Sequence, residues 1–544
     1  MTKFSETIFN QKYAHTKKGR LETWDEMSKR VSSNVLKSVD AKKSLIREVE
    51  QIIKEKKFIP GGRYLYASGK QYHQTQNCLL LKAEDSREGW ADLLHKSSSA
   101  LMTGAGIGVD YSDIRPEGKL IRKTGGTSTG SLALMQMVNE VGRGVMQGGS
   151  RRSAIWAGLN WKNADIHKFI TMKNWEPAVR DLKAANFNFP ATMDGTNISV
   201  QLDDEFFEAF HNEKHSLHIH AHSVYWATIS QMLKTSEPGF SIDIGENKNE
   251  TLRNACTEIT SRDDSDICNL GSINLSTITN LSDMGRVTNL ATAFLLAGTV
   301  YSHVPYPRVD QIRSKNRRLG LGLMGVHEWL LKNGKKYGPD QDLQKYLEIY
   351  QTSGKFAKQY AKNWDLSCPV KTRAIAPTGS ISIISETTSG IEPLFCSAYK
   401  RRYRKGTSDW HYQYVIDPIA QKLVSAGINP DDIEDAYTLA NDVERRVSTQ
   451  AWIQQYVDHA ISSTINLPSW GSEQNNESTV KDFGNMLIKH LPSLRGITVY
   501  ADGSRGGQPL TSVAYKEASE KLGEVFIEQA DICDISGKGG PCGS

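Results

Sequence analysis

Apolar side chains near the start of the chain recur with the spacing of an amphipathic helix. Trp24, Met27, Val31 and Val35 fall at positions i, i+3, i+7 and i+11, which places them on one helical face. The remaining positions up to about residue 58 are rich in charge. The pattern therefore predicts an N-terminal helical region over residues 1–58, with one face of its helix buried.

A second helix is predicted to begin near residue 85. Asp85 is followed three residues later by Glu88, a spacing that resembles a capping box at a helix N-terminus. One helical face then continues through Trp90, Leu93, Leu94, Ser97 and Leu101.

Short apolar runs bounded by Gly, Pro or polar residues alternate with helical patterns along the main body of the chain, residues 59–510. Such runs are typical of strands buried on both faces, and their alternation with helices predicts an α/β fold with a parallel-rich sheet. The predicted strands cover residues 107–111, 154–159, 240–244, 380–384 and 497–500. The segment 511–544 starts with a short helical piece and ends in a Gly-rich tail, which we expect to be flexible.

The charge balance argues against binding to duplex nucleic acid. Lys and Arg total 66 and Asp and Glu total 61 in 544 residues, so the net charge is only +5. Local basic spots would still suit nucleotide phosphates. The first 18 residues lack the apolar stretch of a signal peptide, and no run of about 18 apolar residues occurs, so we expect a cytoplasmic protein without a membrane span.

The seven cysteines need individual explanations, because an odd number without an export signal argues against a disulfide framework. Cys256 lies between Asn254 and Glu258 at alternating positions, so on an extended loop all three side chains would point to one side. A thiol flanked by an amide and a carboxylate suits sulfur-radical chemistry in which a neighbour deprotonates a hydroxyl. A buried cysteine in a polar loop is the other interpretation of this pattern.

A Pro-Thr-Gly-Ser turn at residues 377–380 is a candidate anion site. Such a turn exposes consecutive backbone N–H groups and hydroxyls, which together can bind a phosphate.

Taken with its neighbours, the Asn-x-Cys-x-Glu segment resembles the finger loop of ribonucleotide reductases, because Cys268 follows in Cys-Asn-Leu-Gly-Ser-x-Asn-Leu. The resemblance implies that Cys256 becomes the thiyl radical that abstracts the 3′ hydrogen of the ribose, that Glu258 is the general base, and that Asn254 binds substrate. It implies further that Cys268 and Cys78 form the reducing pair. The fold it implies is a ten-stranded α/β barrel of two antiparallel halves, each of five parallel strands, around a central finger loop.

The same resemblance implies binding sites for substrate and effector. The substrate would be held by Asn77 and by the phosphate loop Thr378, Gly379, Ser380 and Ile381. A deoxynucleoside triphosphate effector would bind at Asp110, Ile114, Arg115 and Arg151, and residues 180–188 would relay its identity. The glycine-rich segment 104–109 lacks the G-x-G-x-x-G spacing of a dinucleotide-binding fold.

The tail carries Cys533 and Cys542, which would re-reduce the internal pair by disulfide exchange and accept electrons from a thioredoxin or glutaredoxin-like partner. The eight residues between them are more than the family usually has. A metal clip would require more ligands than the tail offers.

The radical source is inferred from the segment 497–510, which contains the single tyrosine Tyr500 rather than an adjacent pair. That pattern looks like the adenosylcobalamin-dependent class and implies cobalamin as cofactor. The alternative is a catalytic subunit that receives its radical from a separate ferritin-like subunit. A homodimer is expected, because residues 78–256 leave little room for the insertion found in monomeric cobalamin enzymes.

Two further classes of protein agree less well with the sequence. A non-catalytic nucleotide-binding regulator would not need Cys256, Glu258 and a tail dithiol together. A thiol–disulfide oxidoreductase would normally show a C-x-x-C motif, which the chain lacks.

Several polar clusters outside the matching motifs have structural interpretations. The alternation of His215, His218, His220 and His222 favours a polar edge strand over a metal site, so no metal is expected. The simplest interpretation of Cys368 and Cys396 is that they are thiols in the core. The glycines of 316–325 are interpreted as positions that permit close backbone packing.

Overall fold

The N-terminal residues form helices that pack on the body of the protein. The computed structural model describes residues 1–76, 78–122, 125–145, 153–186, 189–404, 410–502, 504 and 510–527. The predicted helix around Trp24 is confirmed: it starts at a Thr23 capping box, buries Met27, Val31 and Val35, and packs against the helices Lys43–Lys54 and Leu281–Tyr301. The elements of this region are α1 (Lys3–Lys12), β1 (Thr16–Lys17), β2 (Arg20–Leu21), α2 (Trp24–Lys37) and α3 (Lys43–Lys54).

The rest of the chain alternates between strands and helices, as the hydrophobic pattern predicts. The strands are β3 (Phe58–Pro60), β4 (Cys78–Lys82), β5 (Gly106–Asp110), β6 (Ile155–Asn160), β7 (Thr196–Asp203), β8 (Gly239–Asp243), β9 (Leu252–Arg253), β10 (Thr260–Ser261), β11 (Asp266–Ile267), β12 (Leu270–Asn274), β13 (Gly320–Met324), β14 (Ala398–Arg404), β15 (Trp410–Ile416), β16 (Thr464–Leu467), β17 (Gly496–Ala501), β18 (Leu510–Ser512) and β19 (Val525–Ile527). The helices are α4 (Gly62–Ala67), α5 (Arg87–Met102), α6 (Gly130–Gly144), α7 (Ile166–Thr171), α8 (Pro177–Ala185), α9 (Asp204–His211), α10 (His218–Thr235), α11 (Leu281–Tyr301), α12 (Pro307–Asn316), α13 (Val326–Lys332), α14 (Gln341–Tyr350), α15 (Ser353–Asn363), α16 (Gly379–Ser385), α17 (Pro418–Ser425), α18 (Ala436–Leu439), α19 (Val443–Gln454), α20 (Val480–His490) and α21 (Tyr515–Glu520).

The largest sheet has the strand order β11-β4-β5-β6-β7-β8-β17-β16. Its strands β4 to β8 are five consecutive parallel neighbours, and their buried apolar side chains form the core with helices on the sheet faces. The next pair, β8 and β17, is antiparallel, and β17 then pairs in parallel with β16. The α/β class with a parallel-rich sheet is therefore confirmed.

A second set of parallel strands lies beyond that antiparallel junction. Strand β12 pairs in parallel with β13, and single parallel bridges join Leu321 to Arg373 and Ile375 to Ile461. Five parallel strands in the first half agree with the expected barrel. The ten-stranded closure of the barrel stays a prediction.

The finger loop is a short hairpin that lies against the large sheet. Strands β9 and β10 are antiparallel, with Arg253 opposite Thr260, and residues 254–259 form the tip. The loop can approach the sheet closely because β5 has glycines at the points of contact. A Cβ atom on Gly108 would lie 2.0 Å from the Arg253 carbonyl oxygen, and one on Gly106 would lie 2.9 Å from the Cβ of Ala255.

Three local predictions are corrected. Residues 380–384 belong to helix α16 rather than to a strand, and the helix predicted from Asp85 starts at Arg87 with Ser86 as its N-cap. The polar edge strand predicted for the histidines is also wrong: His218 is the first residue of helix α10, because Ala221, Val224 and Tyr225 turn one helical face into the core.

In the part of the chain that the structure describes, no helix is both long enough and apolar enough to cross a bilayer. Nor do His, Cys, Asp and Glu side chains there gather in threes as metal ligands would.

The contact between Gly108 and the finger loop predicts a large effect of one methyl group. Gly108→Ala should destabilise the fold by about 1–3 kcal/mol, because its Cβ would collide with the Arg253 backbone. Thermal unfolding would measure the change. Gly144→Ala is the matched control, since no atom lies within 4 Å of its added Cβ. Equal unfolding temperatures for the two variants would contradict this account of the packing.

Candidate active site

Cys78 and Cys268 lie side by side at the edge of the large sheet. Cys78 is the first residue of β4, and Cys268 directly follows β11, the antiparallel neighbour of β4. The Cys268 amide donates to the Cys78 carbonyl oxygen at 2.8 Å, and the Cys78 amide donates to the Cys268 sulfur at 3.0 Å. Opposed residues of antiparallel strands have Cα atoms about 4.5–5.5 Å apart, a separation that a disulfide can span.

Both thiols of this pair are buried, and neither is part of a disulfide. The hydrogen bond between the thiols lowers the pKa of Cys78, although burial and the charge of Glu258 act in the opposite direction. A thiol that ionises more readily is a better nucleophile and a better electron donor in disulfide formation. The pair is therefore suited to reversible oxidation.

Cys256 stands at the tip of the finger loop and is partly exposed, whereas Asn254 and Glu258 beside it are fully buried. The tip is a turn rather than the extended loop expected from the sequence. The Thr257 amide donates to the Asn254 carbonyl oxygen at 3.0 Å, and Thr257 has a φ of +71°. The Asn254 side-chain oxygen accepts the Ile259 amide at 3.0 Å, which fixes the loop from inside.

Glu258 is a buried carboxyl group whose two oxygens accept no hydrogen bond of normal geometry from the described residues. Burial raises its pKa to about 7, and the nearby backbone amide and Asn254 side chain lower it only in part. The Asn254 Nδ2 group is likewise buried and unpartnered. Orphaned buried polar groups are rare in proteins, so these atoms are candidates to form hydrogen bonds with a polar ligand.

The predicted phosphate loop lies at the start of helix α16. Thr378 adopts a left-handed conformation with a φ of +53°, and its hydroxyl accepts the Gly390 amide at 2.9 Å. Gly379 and Ser380 are the accessible residues here, whereas the Ile381 side chain is buried. Lys12 from helix α1 donates to the Ser380 hydroxyl at 3.3 Å, so a cation stands beside this turn.

The predicted effector residues have separate environments. Asp110, at the end of β5, lines a cavity of about 400 Å³ together with Lys82 and Lys162, and burial raises its pKa. Arg115 is paired with Asp85 at 2.7 Å. The Ile114 side chain is in the core, with 1% of its surface exposed.

Some predicted residues lie outside the described part of the chain: Asn77, Arg151, Cys533 and Cys542. Of the two cysteines expected in the core, Cys396 is buried as predicted, but Cys368 is exposed.

A group of buried charges around the finger loop escaped the sequence analysis. Glu250 precedes β9, and Arg318 precedes β13; both are buried and in contact. Arg318 belongs to a segment that was interpreted only as a packing motif. The available signal was a pair of adjacent arginines at the start of an apolar strand, where burial requires a carboxylate partner.

Comparison with known proteins agrees with this arrangement. The family model for the ribonucleotide reductase barrel domain matches residues 76–237, 218–353 and 370–500, so the chain belongs to this family.

Three relatives are named as members of the cobalamin-dependent class. A vitamin B12-dependent ribonucleoside-diphosphate reductase of Thermoplasma acidophilum is 26% identical; the match covers 86% of this chain and 66% of the relative. The reductase of the same name from Mycobacterium tuberculosis (strain CDC 1551 / Oshkosh) is also 26% identical, over 86% of this chain and 73% of the relative. A putative adenosylcobalamin-dependent ribonucleoside-triphosphate reductase of Mycobacterium phage D29 is 25% identical, over 74% and 76% of the two chains.

The raised pKa of Glu258 predicts the pH dependence of turnover. The carboxylate is the form that accepts a proton, so the rate should rise as the pH increases through about 7. Glu258→Gln should lower kcat by about 10²- to 10⁴-fold and remove this rise. Deoxyribonucleotide formation measured between pH 5.5 and 8.5 would show both effects.

Asp417→Asn is the matched control, because Asp417 is a half-buried helix cap with a pKa raised to about 6. It should leave the pH profile unchanged. If Glu258→Gln kept the pH profile of the wild type, Glu258 would not be the general base.

Proposed function

We propose that this protein reduces ribonucleotides to 2′-deoxyribonucleotides by radical chemistry. The Cys256 sulfur radical takes the 3′ hydrogen of the ribose, and Glu258 takes the proton of the 3′ hydroxyl. Cys78 and Cys268 then supply two electrons and two protons, so the 2′ hydroxyl leaves as water and the pair ends as a disulfide. Cys256 regains its radical when the 3′ hydrogen returns to the sugar. The net change is one ribonucleotide and two thiols to one deoxyribonucleotide, one water and one disulfide.

One observation carries the proposal: a contacting thiol pair, a third partly exposed thiol and an unpartnered buried carboxyl group occur in one place. A nucleotide-binding regulator would have no need of two buried thiols in contact. A general thiol–disulfide oxidoreductase would need its pair at the surface, where a partner disulfide can reach it. Cys78 and Cys268 are only 8% and 0% exposed, so their electrons must come through an intermediate carrier.

Adenosylcobalamin is the radical source that we propose. The finger loop fits such a group in one respect: Cys256 is partly exposed while Asn254 and Glu258 are buried, so its thiol would be accessible to a bulky molecule outside the loop. When bound, the cofactor supplies a carbon-centred radical by cleavage of its cobalt–carbon bond. Asn254 and Glu258 do not depend on the radical source, since their work is to hold the substrate and move its proton.

Substrate binding and control are proposed from the family resemblance. Asn77 and the phosphate loop 378–381 hold the ribonucleotide, and a deoxynucleoside triphosphate acts as effector near Asp110, Ile114, Arg115 and Arg151. The two sets of parallel strands form the halves of one barrel, and the protein acts as a homodimer. We place it in the cytoplasm, where thiols stay reduced.

The proposal is tested by turnover of the purified protein. With adenosylcobalamin and a dithiol it should convert a ribonucleotide to its deoxy form, measured by chromatography, and leave a Cys78–Cys268 disulfide when the dithiol is omitted. Cys268→Ser should form no disulfide and no deoxynucleotide. If product formed only after addition of a metal-containing subunit, the proposed cofactor would be wrong but the proposed reaction would stand. No product under either condition would reject the function.

A separate experiment tests the tail. Cys533→Ser combined with Cys542→Ser should stop turnover supported by thioredoxin, because electrons could no longer reach the buried pair. About one turnover from pre-reduced enzyme should remain, measured as deoxynucleotide per active site. Full activity with thioredoxin would contradict the shuttle, and loss of the single turnover would show a different role.

A further inference from the structure

A buried network of charges surrounds the base of the finger loop. Arg318, Glu250 and Asp266 have side chains that are 2%, 10% and 1% exposed. Arg318 Nε donates to Asp266 at 2.7 Å, and its Nη1 donates to Glu250 at 3.2 Å. One guanidinium group therefore joins two carboxylates that are sixteen positions apart in the chain. The neighbouring members of the network are Asp243, Arg253, Lys371 and Arg495.

The two carboxylates stand at the two ends of the catalytic segment. Glu250 precedes β9, the strand that enters the finger loop, and it also accepts the hydroxyl of Thr260 on the exit strand β10 at 2.7 Å. Asp266 lies in β11, two residues before Cys268, and accepts the hydroxyl of Ser261 at 2.7 Å. The entry of the loop, its exit and the strand of the reducing cysteine thus converge on Arg318.

We propose that Arg318 is a positioning residue that holds the loop of Cys256 in register with the strand of Cys268. The inference rests on the proposed function, since it assigns a role to a residue behind the same site. The radical and the reducing thiols act on adjacent carbons of one sugar, so their relative position decides whether both steps occur. A misplacement of about 1 Å can lower a rate by about 10²-fold.

The planar fork of arginine explains why this residue type stands here. Guanidinium donors at two edges can bond two carboxylates at once, whereas a lysine ammonium is a single point charge. Burial alone would raise the pKa of Glu250, but the charges of Arg318 and Lys371 outweigh it and hold the pKa at about 2. Glu250 is therefore ionised throughout the working pH range, and the bridge persists.

Arg318→Lys is the variant that tests the role. In the cofactor-free protein, a loosened loop should expose Cys256, so we expect its alkylation by iodoacetamide to accelerate at least about threefold relative to Cys368. Cys368 is exposed in the folded protein and serves as the internal reference. In the loaded enzyme kcat should fall by about tenfold to a hundredfold. KM should stay within about twofold, because the phosphate loop is untouched.

Arg30→Lys is the matched control, because Arg30 also forms a buried ion pair, with Glu22, at side-chain exposures of 6% and 0%. It lies on α2, away from the cysteines, so it should lower the unfolding temperature without changing the alkylation ratio or kcat. An equal rise in Cys256 alkylation in both variants would overturn the proposal by showing a general loss of stability. An unchanged ratio in Arg318→Lys would overturn it too.

Asp266→Asn provides a second route if Arg318→Lys does not fold. The amide oxygen still accepts from Ser261, but the charge facing Arg318 is gone, so the same changes are expected at smaller size. An unaltered alkylation ratio and kcat in Asp266→Asn would then reject the role. The wild-type assay separates the two proposals: wild-type protein without product rejects the function, whereas active wild type with normal variants rejects only the role of Arg318.

Discussion

The close approach of the finger loop to strand β5 is the constraint on which the site depends. The loop backbone at Arg253 occupies the space where a side chain of residue 108 would stand, 2.0 Å from the ideal Cβ position. Likewise, a Cβ atom on Gly106 would lie 2.9 Å from the Cβ of Ala255 and 3.1 Å from the Cys78 sulfur. Two glycines on one strand therefore bring the loop of Cys256 and the Cys78 thiol together. A larger residue at either position would separate them.

Two buried glutamates near the finger loop have pKa values that are shifted in opposite directions. Glu258 is buried without a cation, so its pKa rises to about 7. Glu250, only eight residues away, is also buried but faces Arg318 and Lys371, and its pKa stays at about 2. Two glutamates near one loop thus hold different protonation states near neutral pH because their neighbours differ. The first can gain or lose a proton near neutral pH, and the second is a fixed charge that supports structure.

The sequence predicted those features that local pattern controls. Four of the five apolar runs are strands, and the helical spacing from Trp24 is helix α2, because burial on one or both faces leaves a periodic signal. The strand predicted for 380–384 was wrong, because a short apolar run has no periodicity that distinguishes a strand from a buried helix. The alternation of the four histidines suggested a strand, but Ala221, Val224 and Tyr225 set the helical face of α10.

The candidate site divides in a similar way. The roles predicted for Cys256, Glu258 and the cysteine pair, and the pairing of Cys78 with Cys268, rest on the family resemblance of their motifs. Their hydrogen-bonded contact is seen only in the structure, because 190 positions separate the two cysteines. The bridge from Arg318 to Glu250 joins residues 68 positions apart, and no local pattern encodes such a pairing. The turn at Thr257 was also hidden, because its left-handed backbone is held by Asn254 rather than by a glycine.

Strand β5 also connects the finger loop with the cavity beside Asp110. Strand β5 carries the two glycines under the finger loop and ends at Asp110, beside the cavity that Lys82 and Lys162 also line. Asp110 accepts the hydroxyl of Thr251 at 2.7 Å, and Thr251 is the residue between Glu250 and β9. Strand β5 and the hydrogen bond between Thr251 and Asp110 therefore form one continuous line of contact from this cavity to the strand that enters the finger loop.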